Sequence, residues 1–406
     1  MSQPKRRYFD HAATTDVRPE VLEAIVDVYK NHYGNPSSFY KEGHEAEDLM
    51  LDARQRVAKN INAKPEEIFF TSCGTESDNW ALKGTAFALQ KKGKHIITSK
   101  IEHHAILHTA EWLEKHGFEV TYLDVDQYGM VSPEDVEAAM RDDTILVSIM
   151  AANNEVGTLQ PIKEIGAICK AHKVRFHSDA VQALGAIPID VEDLGVDMMS
   201  FSAHKLYGPK GVGVMYLRKG NRIDNLLHGG AQEKAKRGGT ENVALIQGFA
   251  KALDLAVAGL AEESKRQIAL RDRLIKAIAT SIPYAKLNGH PTKRLPNNVN
   301  FSFEFIEGES MLIMLDYQGF ACSSGSACTS ASLDPSHVLL AMGMPHEVAH
   351  GSLRLTIGRE TQEEDIDALA QALPPIIQRL REMSPLWEDW EKGKIKKSLI
   401  PEYTQY

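Results

Sequence analysis

Between about residues 66 and 217 the chain alternates short apolar runs with amphipathic segments. The runs EEIFFTS (66–72), KHIITS (94–99), VTYLDV (120–125), TILVSIM (144–150), VRFHSDA (174–180), MMSFSA (198–203) and VGVMYL (212–217) are rich in Val, Ile and Phe and predict strands. Between them ALKGTAFALQKK, ILHTAEWLEKH, SPEDVEAAM and PIKEIGAICKAH carry apolar residues at helical spacing. This alternation predicts an α/β fold with a mostly parallel seven-stranded sheet covered by helices on both faces, whose ligands bind at the carboxyl ends of the strands. From about residue 240 the pattern changes to two long helices, 241–260 and 261–282. The strands NNVNFSF and SLRLTIG and a helix over 363–383 follow. A smaller α+β C-terminal domain is expected there, giving a large domain over 15–260 and a small one over 1–14 with 261–406.

The chemistry-bearing residues fall just after the predicted strands. Lys205 sits in SFSAHKLYGPKG, on a turn after an apolar run, where burial lowers an amine's pKa and makes it a nucleophile. Asp179 ends another run. Pyridoxal phosphate (PLP) requires a carboxylate at its pyridine nitrogen, a lysine at its aldehyde and an anion site for its phosphate, and Asp179, Lys205 and the pair Ser202 and His204 form such a set. Gly74 and Thr75 open a helix whose free N–H groups suit a phosphate, although Thr75 with Asp78 also reads as a capping box. IEHHAILHTAEW places His residues where an imidazole can stack on a flat cofactor and move protons. Asn154 and Gln182 can reach a ring oxygen, and RGGTEN offers a Gly pair before Thr240, read as the cap of the long helix. Arg354, alone in an apolar strand, needs an anion: a structural carboxylate, or a substrate carboxylate held bidentately.

The thiols change this picture. Of the four cysteines, Cys328 lies in SSGSACTSAS (323–332), a small, polar stretch that predicts a mobile loop, and a thiol there is a candidate nucleophile. Cys73, Cys169 and Cys322 are expected to pack inside. No Cys or His spacing suits a metal, so none is expected. A net charge of −9 argues against nucleic acid or an anionic membrane as the main partner. No 18-residue apolar run and no signal-like N-terminus occur, so a cytoplasmic location is expected.

The motifs DHAATT, GNPSS, GTESDN, EHHAIL, NNEVG, SDAVQ, SFSAHKLYGPKG, RGGTEN, SSGSACTSAS and HGSLRLTIG together resemble those of the cysteine desulfurases of NifS/IscS type, PLP-dependent enzymes of fold type I in the class V aminotransferase family. The resemblance implies conversion of L-cysteine to L-alanine, with the sulfur left as a persulfide on Cys328 for transfer to acceptor proteins such as an iron–sulfur scaffold. It implies Lys205 as the Schiff-base lysine, His103 as the ring-stacking histidine and Asp179 on the pyridine nitrogen. Asn154 and Gln182 would contact the phenolate oxygen, and Thr75, Ser202 and His204 the phosphate. Thr240 would reach the phosphate from the second subunit of a homodimer, while Arg354 clamps the substrate carboxylate and Asn35 lies near the substrate. SPLWEDWEKG also looks like a scaffold-docking tail. A PLP aminotransferase, a selenocysteine lyase and a docking platform are the competing functions.

Overall fold

The computed structural model describes residues 5–324, 335–395 and 397–400. The chain enters through a two-residue strand, β1 (Arg7–Tyr8), and two helices, Pro19–Asn31 and Lys41–Asn60. It then builds the central sheet from β2 (Ile68–Thr71), β3 (His95–Ser99), β4 (Glu119–Leu123), β5 (Thr144–Ser148), β6 (Arg175–Asp179), β7 (Met198–Ser202) and β8 (Gly213–Leu217). The spatial order is β2-β8-β7-β6-β5-β3-β4. Neighbours are parallel except around β8, which runs antiparallel to both β7 and β2. Six strands therefore end at the same edge of the sheet. All seven expected strands are present.

Side chains alternate across a strand, so successive residues serve opposite faces. Ile97, Val147, Phe176, Met199 and Val214 belong to a core with the two N-terminal helices and helix Val243–Ala258. Ile96, Leu146, Met198 and Met215 belong to a second core with Trp80, Leu82 and Leu113. Both faces are thus covered, which is why the runs read as continuously apolar. Helix Lys41–Asn60 is an element the apolar runs do not reveal. Most of its residues are polar, and a narrow buried stripe that includes Ala46, Met50, Ala53 and Val57 marks its inner face.

Helices Val243–Ala258 and Leu260–Ser281 meet at a 70° bend. Beyond them lie β9 (Ala285–Leu287), β10 (Asn298–Phe303), β11 (Phe320–Ala321) and β12 (Ser352–Thr356). β12, β10 and β9 form an antiparallel sheet, and β11 pairs in parallel with β1. Their separate core includes Leu274, Phe301, Leu353, Ile366 and Ile376, and it takes Phe9 from the N-terminal arm. No single helix among the described residues is long and apolar enough to cross a membrane.

Near β2, Glu233, Lys234 and Ala235 all adopt left-handed backbone (φ 46°, 58° and 58°), which costs on the order of 1 kcal/mol or more per non-glycine residue. Glu233 is buried, pairs with Arg54 through both oxygens (2.9 and 2.6 Å) and accepts the Phe70 N–H at 2.9 Å. The ion pair holds the turn against its strain. Glu233→Ala leaves a buried guanidinium without its counter-charge and is expected to destabilise the fold by about 3–5 kcal/mol. A urea midpoint unchanged from the parent protein would show that the turn does not depend on the pair.

Candidate active site

The strand ends that share one edge of the sheet deliver the site. A helical turn at Gly74 follows β2, and His103 follows β3 as the N-cap of helix His104–Glu114. Asn154 follows β5, Asp179 ends β6, Ser202 ends β7, and Lys205 comes in the short turn after it. With Gln182, His204, Thr75 and Arg354 these residues line one cavity of about 330 Å³, within the size range of small-molecule sites. Two expected site residues stand elsewhere. Asn35 is exposed on a turn, its Oδ1 accepting the Ser37 N–H at 3.0 Å, and Thr240 is exposed beside a smaller cavity with Arg237 and Asn242. Cys328 lies outside the described residues.

Each charge state follows from the dryness of the crevice. Asp179 is 7% exposed, and burial pushes its pKa up to about 6, opposed by the Val181 N–H it accepts at 2.9 Å and by Lys205. Asp78, 1% exposed, lines the same cavity with its Oδ1 unpartnered. Burial pushes its pKa well up and Asp179 adds to the shift, so Asp179 ionises first of the two. His177 lies 3.7 Å from that Oδ1; burial pushes it down to about 3, and its ring nitrogens bond the Ser148 and Ser200 hydroxyls, each at 2.9 Å. His103 is pushed down to about 4 by burial first and by Lys205 second. Its Nδ1 accepts the Ala105 N–H at 3.1 Å, which places the ring proton on Nε2.

The N-terminal arm supplies the remaining contacts. Lys205 Nζ donates to the carbonyls of Ala12 and, at 2.8 Å, of Ala13. Gln182 Nε2 donates to Ala12 O at 3.0 Å, and His204 Nδ1 meets Thr14 Oγ1 at 3.2 Å. Arg354, 3% exposed, pairs through Nη2 with Asp10 (2.9 Å) and donates from Nη1 to Asn154 O (3.1 Å). Its Nε is buried without a partner, which leaves a donor for a further carboxylate.

The residues fit PLP. A buried carboxylate, an amine, a neutral imidazole and the hydroxyls of Thr75 and Ser202 converge on one space. Gly74 lets the backbone approach, since a Cβ there would meet Val181 Cγ2 at 2.6 Å. Several local expectations change. Cys73, not Thr75, is the N-cap at this turn, and Asp78 faces inward and makes no capping box. Asn242, not Thr240, caps the long helix, its Oδ1 accepting the Leu245 N–H at 3.1 Å. Cys73 is half-buried and lines the cavity, while Cys169 is buried and Cys322 packs against the C-terminal core. Asp10, Ala12 and Ala13 are contributors to which the sequence pattern gave no role, and Asp78 was expected only as part of a cap.

This fold with this set of groups is that of a PLP-dependent enzyme of fold type I. The chain matches the class-V aminotransferase family over residues 7–369 and belongs to it, in the branch of the NifS/IscS-type cysteine desulfurases. It is 57% identical over 395 residues to the cysteine desulfurase IscS of Clostridium botulinum, covering 97% of this chain and 100% of that protein. It is also 57% identical over 385 residues to cysteine desulfurase IscS of Methanosarcina thermophila, covering 95% of each. A solved NifS-like protein, 42% identical, superposes with a TM-score of 0.87 over 92% of this chain and 100% of that one.

The raised Asp179 pKa carries a sign. Above about pH 6 the carboxylate is charged and would attract a protonated pyridine nitrogen; below it the group is neutral. Affinity of the apoprotein for PLP is therefore expected to fall as pH drops through about 6, and Asp179→Asn should bind weakly and lack that step. Fluorescence titration of apoprotein with PLP between pH 5 and 8 checks this, and a flat profile in the parent protein would contradict it.

Proposed function

We propose that this protein is a cysteine desulfurase that converts L-cysteine to L-alanine and leaves the sulfur as a persulfide on Cys328. The observation that carries the reading is the link between clamp and thiol. Arg354, on the cavity wall, exchanges backbone hydrogen bonds with Ser323 (2.7 and 3.3 Å), and Cys328 follows five residues later in the sequence. At full extension five residues span roughly 18 Å, the upper bound that the chain sets between that backbone pair and residue 328.

Arg354 binds the substrate carboxylate with its unpartnered Nε and an Nη, and a planar fork is what such a bidentate contact needs. PLP, when bound, supplies an electron sink that lets the Cα proton leave. The neutral Lys205 amine would take that proton, Asp179 would hold the pyridine nitrogen, and Asn154 and Gln182 would meet the ring oxygen. Thr75, Ser202 and His204 would hold the phosphate. His103, neutral with its proton on Nε2, would lie against the ring and exchange a proton with the substrate. The Cys328 thiolate attacks the substrate sulfur: the S–S bond forms, the C–S bond breaks, and its electron pair passes to carbon, which ends as alanine after protonation.

The functional unit in this reading is a homodimer. Its support is an exposed apolar face on the N-terminal helices and the turn between them, with Tyr29, Tyr33, Tyr40 and Phe39, the last 96% exposed. There Thr240 reaches the partner's phosphate site, and Asn35 lies near substrate. The large domain spans 15–260, and the small domain spans 1–14 with 261–406, which the two separate cores support. Sulfur passes to acceptor proteins such as an iron–sulfur scaffold. Helix Pro385–Glu391 is a candidate dock, with Trp387 and Trp390 packed on Tyr284 and Phe305. Thiol chemistry of this kind belongs in a reducing compartment, in keeping with a cytoplasmic location.

Two experiments test this reading. Cys328→Ser is expected to bind PLP and L-cysteine but to lose alanine formation by about a thousandfold or more, because a hydroxyl lacks the thiolate's nucleophilicity. Mass spectrometry should place the added sulfur of the parent protein on Cys328; sulfur on Cys73 or Cys322 would refute the assignment. Arg354→Lys should raise KM for L-cysteine about 10- to 100-fold, since an ammonium does not replace a charged bidentate pair. A KM equal to that of the parent protein would return Arg354 to a purely structural role with Asp10.

A further inference from the structure

We propose that Glu102 is a positioning residue for the cofactor: its carboxyl ties the turn that carries His103 to the chain beyond β5, and so holds the imidazole in place against the ring that Asp179 anchors. The proposal rests on the reading of His103 as the residue that lies against the ring.

β5 lies between β3 and β6, and successive residues of an inner strand turn their N–H groups to one neighbour and then to the other. The alternation goes on past the end of β5. There the Ile149 N–H donates to His177 O at 3.2 Å and the Ala151 N–H to Asp179 O at 2.7 Å, both on β6. Met150, buried between them, turns its N–H to the other side. β3 has ended by then at Ser99, and the next N–H, that of Lys100, is given to Leu123 O at 3.0 Å. The Glu102 carboxyl fills the gap in the ladder: Oε1 and Oε2 each lie 3.1 Å from Met150 N, and Oε1 lies 2.6 Å from Ser99 Oγ. A side chain thus stands where a longer β3 would offer backbone. A second tie runs beside it, Asn153 Nδ2 donating to Ile101 O at 2.9 Å, and the Glu102 carbonyl accepts from His337 Nε2 at 3.0 Å.

The result is a short route between two groups of the site. Asp179 O receives the Ala151 N–H, the neighbouring Met150 bonds Glu102, and His103 is the next residue in the chain. The tilt of the imidazole is set locally, since its Nδ1 accepts the Ala105 N–H. What Glu102 sets is where that turn stands relative to Asp179. Glu102 has no exposed surface, and burial pushes its pKa up to about 8, against the pull of Ser99 and the Met150 N–H. Near neutral pH it therefore keeps its proton, shared with Ser99 across the 2.6 Å contact, and leaves an oxygen to accept from Met150. Glutamine offers the same two functions, an N–H for the Ser99 hydroxyl and a carbonyl for Met150. Alanine offers neither and leaves a buried N–H unpaired.

The test is a double-mutant cycle read by PLP binding to the apoprotein. His103→Ala is expected to weaken PLP about three- to tenfold, the range of an aromatic stacking contact. Glu102→Ala should weaken it about as much, and the double variant should bind within about twofold of His103→Ala, because Glu102 acts through His103. Glu102→Gln should stay within about twofold of the parent protein, since it keeps both hydrogen bonds. Circular dichroism of the bound cofactor in the holoenzyme, which reports a fixed ring, should shrink in Glu102→Ala and His103→Ala and persist in Glu102→Gln. If Glu102→Ala gives no folded protein, Glu102→Asp, which draws the carboxyl back by one methylene, carries the same cycle. A carboxyl that only props the sheet would act whatever stood at position 103. Losses that multiply in the double variant would therefore overturn the proposal alone, as would parent-like affinity in Glu102→Ala or a Glu102→Gln as weak as Glu102→Ala. His103→Ala with the affinity and dichroism of the parent protein would overturn the reading of His103 and the proposal with it.

Discussion

A guanidinium almost out of contact with water must be surrounded by partners, and that of Arg354 finds them in two distant parts of the chain while its backbone joins a third. The guanidinium takes Asp10 from the N-terminal arm and the Asn154 carbonyl from the turn after β5, and the backbone of Arg354 pairs with that of Ser323 in the stretch after β11. The arm that brings Asp10 also brings the carbonyls of Ala12 and Ala13 to Lys205, and it ties Thr15 Oγ1 to His204 O at 3.0 Å. One buried cation thus brings together the sheet edge, the C-terminal strands and the arm. The amine of the site is held by backbone and the clamp by an ion pair, so both stay oriented without a ligand.

The same lack of water sorts the charges. Neutral His103 and neutral His204 stand beside the Lys205 amine, and two adjacent carboxylates divide into an ionised Asp179 and an Asp78 that holds its proton longer. No one of these states is intrinsic to the residue type. Each follows from burial first and a neighbour second, so a single crevice offers an anion, an amine and a neutral donor within the same cavity.

Much of this was legible in the sequence because parallel strands buried on both faces leave uninterrupted Val, Ile and Phe runs, and because function collects at their ends. Asp179, Ser202 and Lys205 are visible for that reason alone. The arm was not legible: Ala12 and Ala13 act through carbonyls, which leave no mark in a side-chain pattern. Asp10 and Arg354 are separated by 344 positions, and no local periodicity reports such a pair. Asp78 was misread because Ser, Asp and Asn after a strand look the same whether they cap a helix or face inward. Thr240 was taken as a cap because it precedes the helix, yet Asn242 stands at the residue where the backbone turns helical. Helix Lys41–Asn60 was missed because its narrow apolar stripe is diluted by charge.

The parallel pairing of Arg7 with Phe320 bears on the order of events at the ribosome. The arm is synthesised first, but its partners β11 and β12 emerge more than three hundred residues later. Until then Asp10 has no Arg354 guanidinium to pair with. The central sheet, whose strands pair mostly with near neighbours in sequence, can form well before that moment, since contacts of low sequence separation close fastest. The nascent chain therefore carries a nearly finished large sheet with an incomplete site, and the capacity for chemistry arrives only when the last strand draws the first residues back across the molecule.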